Sequence, residues 1–590
     1  STVTGEKIPD ESFQVEQYRY IAPRKTIWPQ ADYIVGNPPF IGTSNMRRAL
    51  GDGYVDAVRG TWTDVPESAD FVMYWWHIAG ETVRRGAALR FGFITTNSIR
   101  QTFNRRVIQA LLEAKPPLSL AFAIPDHPWV DAADGAAVRI AMTVSRAGSH
   151  DGRLLTVTEE RETEQDEIDV TLQERTGLLF ADLKIGANVA GSKPLKANLG
   201  ISSPGVKLHG AGFIVTPEEA SHLGLGKVAG LERHIRTYRN GKDLTERPRH
   251  ALVIDLFGLS ADEVRSRYPA VYQWVLNRVK EEREAKAHTK DGAGYAKYWW
   301  LFGKPRPALR GMLAGQTRYI ATVETMKHRC FQWLDAAILP DNRLTCITSE
   351  DAFLLGVLLS RLHVAWAFAT GGTLEDRPVY NKTVCFDTYP FPDATADQRH
   401  KIACLAEQID QHRKSQQQEH SSLTLTGIYN VMEKLRSGDT LTTKEKTIHE
   451  QGLVSVLREL HDQLDRAVFE AYGWSDLADK LVGLPGATTP LPDKPEAQAE
   501  AEEELLLRLV ALNAQRAAEE ARGQVRWLRP AYQNPTETAQ AHQTEIEVAG
   551  EETEATTTTV AAKQTWPKNM REQVAAVRTA LQAQPMSVEA

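Results

Sequence analysis

The stretch "DYIVGNPPFIG", residues 32 to 42, constrains this chain more than any other. Tyr33, Ile34 and Val35 read as the end of a short buried strand that runs into Asn37 and two consecutive prolines. Proline can continue neither a ladder nor a helix, so the backbone must leave the sheet at Pro38. A rigid, polar strand end results.

The surrounding pattern sets the class of fold. From 30 to 146, strand-like runs at 33–35, 89–95, 118–124 and 137–145 alternate with helical patterns at 70–85 and 102–114. That alternation predicts an α/β domain with a mostly parallel sheet flanked by helices. The last two strands, with no helix between them, predict an antiparallel hairpin at its edge. Ligands of open α/β sheets sit beyond the carboxyl ends of the strands, where Asn37 to Phe40 would stand.

Residues 176–395 are rich in Gly, Pro, Trp and Tyr with Arg-rich loops and one long helix near 268–287, the mark of an α+β domain. Residues 396–532 are helical. Leu453, Leu457, Leu460, Leu464 and Val468 form one apolar stripe closed by Gly473, and "EAQAEAEEELLLRLVALNAQRAAEEAR" is a helix that begins acidic, as the dipole favours. Residues 533–564 lack the apolar surface to fold and read as a linker before a terminal helix at 565–590.

With 590 residues the chain has room for three or four domains. It shows no run of eighteen apolar residues and no basic-then-apolar leader, so neither a membrane span nor a secretory signal is expected and the expected setting is the cytoplasm. Cys330, Cys346, Cys385 and Cys404 match no zinc or disulfide spacing, and no metal site is expected. The opening on Ser1, almost directly before a core strand, leads us to expect a fragment. The net charge of −7 hides an asymmetry: residues 231–330 hold 20 Lys and Arg against 11 Asp and Glu, whereas 491–590 hold 10 against 16. A basic middle suits nucleic acid.

An Asn-Pro-Pro-Phe strand end has a chemical use. An exocyclic amine on an aromatic base is a poor nucleophile while its lone pair is delocalised into the ring. The amide oxygen of Asn37 and the carbonyl of Pro38 can each accept one N–H and turn the nitrogen toward a tetrahedral shape. Pro39 stiffens the turn, and Phe40 offers a ring face on which a base taken out of the duplex can stack. No Pro-Cys dipeptide occurs, which removes the thiolate that attack through a cytosine ring carbon would need. A plain structural turn is the alternative reading of the four residues.

"DYIVGNPPFIG", "DFVMYWWHIAGETVRRG", "RFGFITTNSIRQ" and "AAVRIAMTVSRAG" resemble consecutive motifs of the gamma-class adenine-N6 DNA methyltransferases. "HPWVDAADGAAVRIAM", "YIATVETMKHRCFQWLDAAILPDN", "SRLHVAWA" and "YNKTVCFDTYPFP" are similar to the MmeI-like group, related to the type IIL and IIG enzymes of bacterial restriction-modification and phage defence. The resemblance runs from about residue 25 to about 530. It implies that 1–175 is the C-terminal half of a Rossmann-like methyltransferase domain, 176–395 a target-recognition domain and 396–532 a helical domain. It makes Asn37, Pro38, Pro39 and Phe40 catalytic, S-adenosyl-L-methionine the methyl donor and double-stranded DNA the partner. The family's cofactor turn, Phe-x-Gly-x-Gly, lies upstream of Asn-Pro-Pro-Phe and does not occur here. The expectation is that an upstream segment or a separate chain carries it, with or without a nuclease.

By the same resemblance "GGTLEDRPVYNKTVCFD" reads bases: Glu375 suits a cytosine amine, Arg377 a guanine and Asn381 an adenine, with Tyr380 and Lys382 beside them. A surface loop with a Glu-Arg ion pair is the alternative. Arg239, Lys242, Arg247, Arg249, Lys304, Arg306 and Lys327 lie among aromatics and glycines as phosphate-contacting residues do, or form a solvated basic face. His328 and the Trp75-Trp76 pair read as core. The leading expectation is the catalytic and recognition portion of an adenine-N6 methyltransferase. A recognition module unable to methylate without a partner is the second. A methylase of ribosomal RNA or protein glutamine is disfavoured by the length of chain beyond the sheet, since neither substrate calls for a large recognition domain.

Overall fold

The computed structural model describes residues 18–130, 137–162, 168–287, 292–374 and 377–535. The first sheet comprises β1 (Tyr33–Gly36), β2 (Arg90–Thr96), β3 (Leu118–Val130), β4 (Ala137–Ala147), β5 (Gly152–Glu162) and β6 (Ile168–Gly177), in the order β1-β2-β4-β3-β5-β6. Helix α1 (Val72–Arg84) crosses from β1 to its parallel neighbour β2, and α2 (Thr102–Leu112) leads on to β3. The expected hairpin of β3 and β4 is present, but it lies inside the sheet: β4 is antiparallel to both β2 and β3. Parallel pairing is confined to β1 with β2 and β3 with β5, so the sheet is less parallel than the alternation predicted. The crossover through α2 leaves a strand-wide gap beside β2. A strand that comes after β3 without a crossover helix can fill that gap only by running the opposite way.

The period-two alternation of β2 turns Phe91, Phe93 and Thr95 inward against α1. Trp76 is fully buried there, edge-on to Phe91 at 4.9 Å, and its Nε1 donates to Thr143 Oγ1. Such an aromatic contributes on the order of 2–3 kcal/mol by burial alone. The other face of the sheet is different. Gly92, Ile94, Phe122, Met142 and Val144 are only half-buried and border a cavity of about 510 Å³. Beside it, Tyr33 and Val35 of β1 are 63% and 85% exposed.

The middle region builds two four-stranded sheets from short strands: β7 (Ser202–Pro204), β8 (Ile214–Val215), β9 (Ile235–Arg239), β10 (Leu252–Ile254), β11 (Arg318–Val323), β12 (Gln332–Asp335), β13 (Leu339–Pro340) and β14 (Leu344–Ile347). Their orders are β13-β9-β10-β8 and β12-β11-β14-β7. The long helix expected near 268–287 forms as Pro269–Val275 and Glu281–Ala285, joined through a wider turn at Leu276–Lys280. The buried Arg283 guanidinium donates to the carbonyls of Leu208, His209, Tyr295, Tyr298, Trp299 and Leu301, which ties this helix to both flanking loops. A two-stranded hairpin, β15 (Gly372–Leu374) and β16 (Arg377–Val379), closes the region.

The remaining described residues are mostly helical and include α3 (Ala352–Leu359), α4 (Arg361–Thr370), α5 (Ala396–Glu419), α6 (Leu425–Ser437), α7 (Val454–Tyr472) and α8 (Glu496–Ala521). No single helix among the described residues is long and apolar enough to cross a membrane; the apolar pair α3 and α4 is bent by 63° and lies in the core. Leu457, Leu464 and Val468 form the expected stripe of α7 with a half-buried Leu460, whereas Leu453 precedes the helix at φ 43° and is 48% exposed. Gly473, at φ 73°, ends α7 as expected.

Helix α8 lies along the segment that joins the first sheet to the sheets of the middle region. Its Glu503 accepts from Ala187 N, Asn513 brackets Lys193 through N and O, and Glu520 accepts from Lys196 N and Ala197 N. Gln533, expected to open a linker, instead ends the short helix Pro530–Gln533 and donates to the carbonyls of Ala197 and Leu199. The rest of that linker from 536, and the terminal helix expected at 565–590, lie outside the described residues.

Candidate active site and nucleic-acid interface

The turn after β1 projects from the carboxyl edge of the first sheet. Asn37 and Pro39 are exposed, Pro38 is buried, and Phe40 is 41% exposed, so an amide and a ring face solvent from a backbone anchored beneath them. Phe71 N donates to Ile41 O at 2.9 Å and Thr43 N to Asp70 Oδ1 at 2.9 Å. Asp70 Oδ2 also accepts from Asn104 Nδ2 at 2.8 Å and Ser98 Oγ at 3.2 Å, while Asn104 Oδ1 accepts from Asp70 N. One carboxylate thus ties the turn to the end of β2 and to α2. Sequence reading missed Asp70; its one signal is an acidic residue directly before the apolar helix that comes after the turn.

If the turn holds a reacting base, as its sequence suggests, Asp70→Ala is expected to lower the rate of that reaction roughly 10- to 100-fold, because small misplacements of a positioning group are that costly. DNA affinity should stay within about twofold of the parent. Single-turnover rates beside a binding titration check it; an equal loss in both would mean that Asp70 serves the DNA interface instead.

The residues expected to touch DNA divide into three groups. Lys242, Arg247 and Lys304 are exposed. Arg377 is exposed on β16 next to the hairpin tip, and Glu375, in that tip, lies outside the described residues. The second group is engaged by partners of the fold, although Arg249 and Lys327 themselves are exposed. Arg249 makes a two-pronged bond to buried Asp243 at 2.9 Å on each arm, Arg306 donates to Gly205 O, and Arg239 is half-buried. Lys327 donates to Asn430 on α6, Lys382 to buried Asp387, and Asn381 caps the helix Lys382–Cys385 by accepting from Thr383 N.

The third group is a correction. Tyr380 is 1% exposed, its hydroxyl is 2.9 Å from His363 Nε2, and its ring packs against Phe331, so it supports the hairpin from inside and presents no surface to a partner. Burial pushes its phenol well above the usual range. His328 is a core residue as expected, with both ring nitrogens engaged by Thr488 Oγ1 and Asn430 Oδ1.

The hairpin is joined directly to the first domain. Arg105 on α2, 5% exposed, donates to the carbonyls of Ala369 and Thr370 at the end of α4, just before β15. Arg106 donates to Thr383 Oγ1.

Residues 7–155 match a family model described as MmeI, DNA-methyltransferase domain, and residues 191–393 match MmeI, target recognition domain. Among solved structures the chain is similar to the type IIL restriction-modification enzyme MmeI in complex with DNA, with a TM-score of 0.59 and 20% identity over 82% of this chain. That likeness concerns the fold. DNA methyltransferase A of Bacillus subtilis (strain 168) is 31% identical over 61 residues, which is 10% of this chain and 7% of that protein. The chain spans 57% of the length of the MmeI structure it matches.

Proposed function

We propose, because this chain belongs to the MmeI-like proteins and carries both their methyltransferase and their target-recognition domains, that it methylates the exocyclic amine of an adenine flipped out of a specific double-stranded DNA site. The setting would be bacterial restriction-modification or phage defence, in the cytoplasm. The observation that carries the reading is the pairing of an exposed Asn37 and Phe40 with a turn pinned by Asp70.

In this reading the base stacks on Phe40, and Asn37 Oδ1 and Pro38 O each accept one amine hydrogen. Both acceptors act most strongly as the nitrogen leaves conjugation with the ring, so their gain is realised in the transition state. Pro38, buried with its φ set by the ring, holds its carbonyl direction.

S-adenosyl-L-methionine is the methyl donor that such a domain implies. The described residues do not fit it as a complete pocket: apart from Tyr33, Asn37, Arg90 and Thr143, the cavity beside β1 is lined by apolar side chains and glycines, and no carboxylate there pairs with the ammonium of the donor. The exposed β1 edge and half-covered sheet face favour a second element of the reading, that a further α/β segment, in this polypeptide or another, completes the sheet and holds the donor. Calorimetry with the donor separates the cases: binding by residues 1–590 alone would overturn this element.

Nucleoside mass spectrometry of DNA incubated with the protein, that segment and the donor tests the chemistry. N6-methyladenine is expected, and N4-methylcytosine would overturn the choice of base. For recognition, Arg377→Ala should cost about 1–3 kcal/mol at one base position and relax the site there, whereas Lys304→Ala should weaken binding to every sequence and lower the salt slope by about one unit. An unchanged site with uniformly weaker binding in Arg377→Ala would make the hairpin a backbone clamp.

A further inference from the structure

A cavity of about 500 Å³ opens in the seam between the first sheet and the corner where α4 turns into β15. It lies on the edge of the sheet that carries Asn37: Gly36 is opposite Phe93 on β2, and Arg139 lies two strands over, opposite Pro128 and next to the Thr96 and Ile140 pair. Two strand spacings across the sheet, about 10 Å, and the four residues along β2 from Phe93, about 13 Å, put Arg139 on the order of 15 Å from the Asn37 turn.

The lining is sorted by charge. Arg100 and Arg139 are both held by Asp126, at 3.3 and 2.6 Å, and Arg139 also by Glu160 at 2.8 Å. One N–H of Arg100 and two of Arg139 are used in these bonds, so both forks are oriented and keep donors to spare. Lys184 is exposed beside them. Asp182, by contrast, is 7% exposed, and its buried Oδ1 has no hydrogen-bond partner among the described residues. Its charge is answered in part by buried Arg105 nearby. Phe368, half-buried, supplies an aromatic surface.

Cations alone would suit any anion, but a carboxylate with an unmet acceptor repels an anion that enters deeply and calls for an N–H. A nucleotide meets all three demands: a phosphate, a base with N–H groups and a ring to stack. We propose that the seam cavity holds one nucleotide of the DNA strand that runs from the recognised bases to the flipped one. Its phosphate lies on Arg100, Arg139 and Lys184, and its base lies between Phe368 and Asp182. This rests on the methyltransferase reading above, and it makes the seam a physical link between recognition and chemistry.

The test uses the full chain and the duplex it selects best from a random-sequence pool. Lys184→Gln and Arg100→Gln are each expected to reduce the slope of log affinity against log salt by about 0.9 while selecting the same sequence. Neutral methylphosphonates are then placed one at a time along the duplex. One position should weaken the parent and leave Lys184→Gln unaffected, and an abasic site at that nucleotide should weaken the parent more than Asp182→Asn. Unchanged salt slopes, or no position at which the phosphate and Lys184 effects overlap, would overturn the seam site. If the parent selects no sequence at all, it is the recognition reading that falls.

Discussion

Asn37→Ala should abolish methylation, by about 100- to 1000-fold or more, in the protein supplied with its donor-binding segment, and leave DNA affinity within about twofold. The asymmetry comes from where the side chain stands. Asn37 is exposed at a strand end and its amide is aimed at nothing else in the described structure, so its loss removes an acceptor that matters when the amine becomes tetrahedral. It removes no cation from phosphate and no core contact, so affinity and fold have no reason to change. Asn37→Asp, which keeps an acceptor but adds a charge, should fall between. Single-turnover methylation beside a binding titration decides the matter: activity within a few-fold of the parent in Asn37→Ala would take the residue out of the mechanism.

The second large effect concerns α8. A chain ending at residue 495 is expected not to fold as the described unit, whereas one ending at 535 should keep its melting temperature, catalysis and site choice. Removing α8 exposes the sites of Leu505 and Leu509, both fully buried, and strips Glu502 from buried Arg361. Breaking a buried ion pair by deleting one partner costs about 3–5 kcal/mol. The N–H groups of Ala187, Lys193, Lys196 and Ala197 exchange their acceptors for water at about 0.5–1.5 kcal/mol each. Together these losses reach the whole stability of an ordinary domain, about 5–15 kcal/mol. Thermal unfolding of the two truncations reads the difference, and a cooperative transition near the parent temperature in the shorter one would refute it. Asn513→Ala offers a milder check, with an expected loss of about 2–3 kcal/mol.

Much of the Asn37 turn was legible because it is local. Two prolines after an apolar run announce a strand end whatever the rest of the chain does. The two helices of the first sheet and the closure of α7 at Gly473 were legible for the same reason, since periodicity and a left-handed glycine are short-range signals. The insertion of β4 between β2 and β3 was not, because strand order depends on which gap the crossover leaves. The recognition residues show the limit most clearly. Arg249, Lys382 and Tyr380 have the right chemistry for DNA, yet Asp243, Asp387 and His363 claim them from positions 6, 5 and 17 residues away. Nothing in a basic loop tells which cations are already spoken for. Arg100 and Arg139 were hidden by the opposite effect: each reads as an ordinary strand-end residue until the fold brings both to Asp126.

The backbone bonds that α8 makes to residues 187–197, together with the grip of Arg105 on the end of α4, leave the hairpin and the Asn37 turn little freedom to slide past one another. On the proposed function the molecule would behave as a gauge of fixed length: the frame would set where the marked base lies relative to the bases that are read, and side chains at the hairpin tip would set which bases those are. Exchanges at the tip should therefore rewrite the address without moving the mark. A change in the spacing itself would require a new frame.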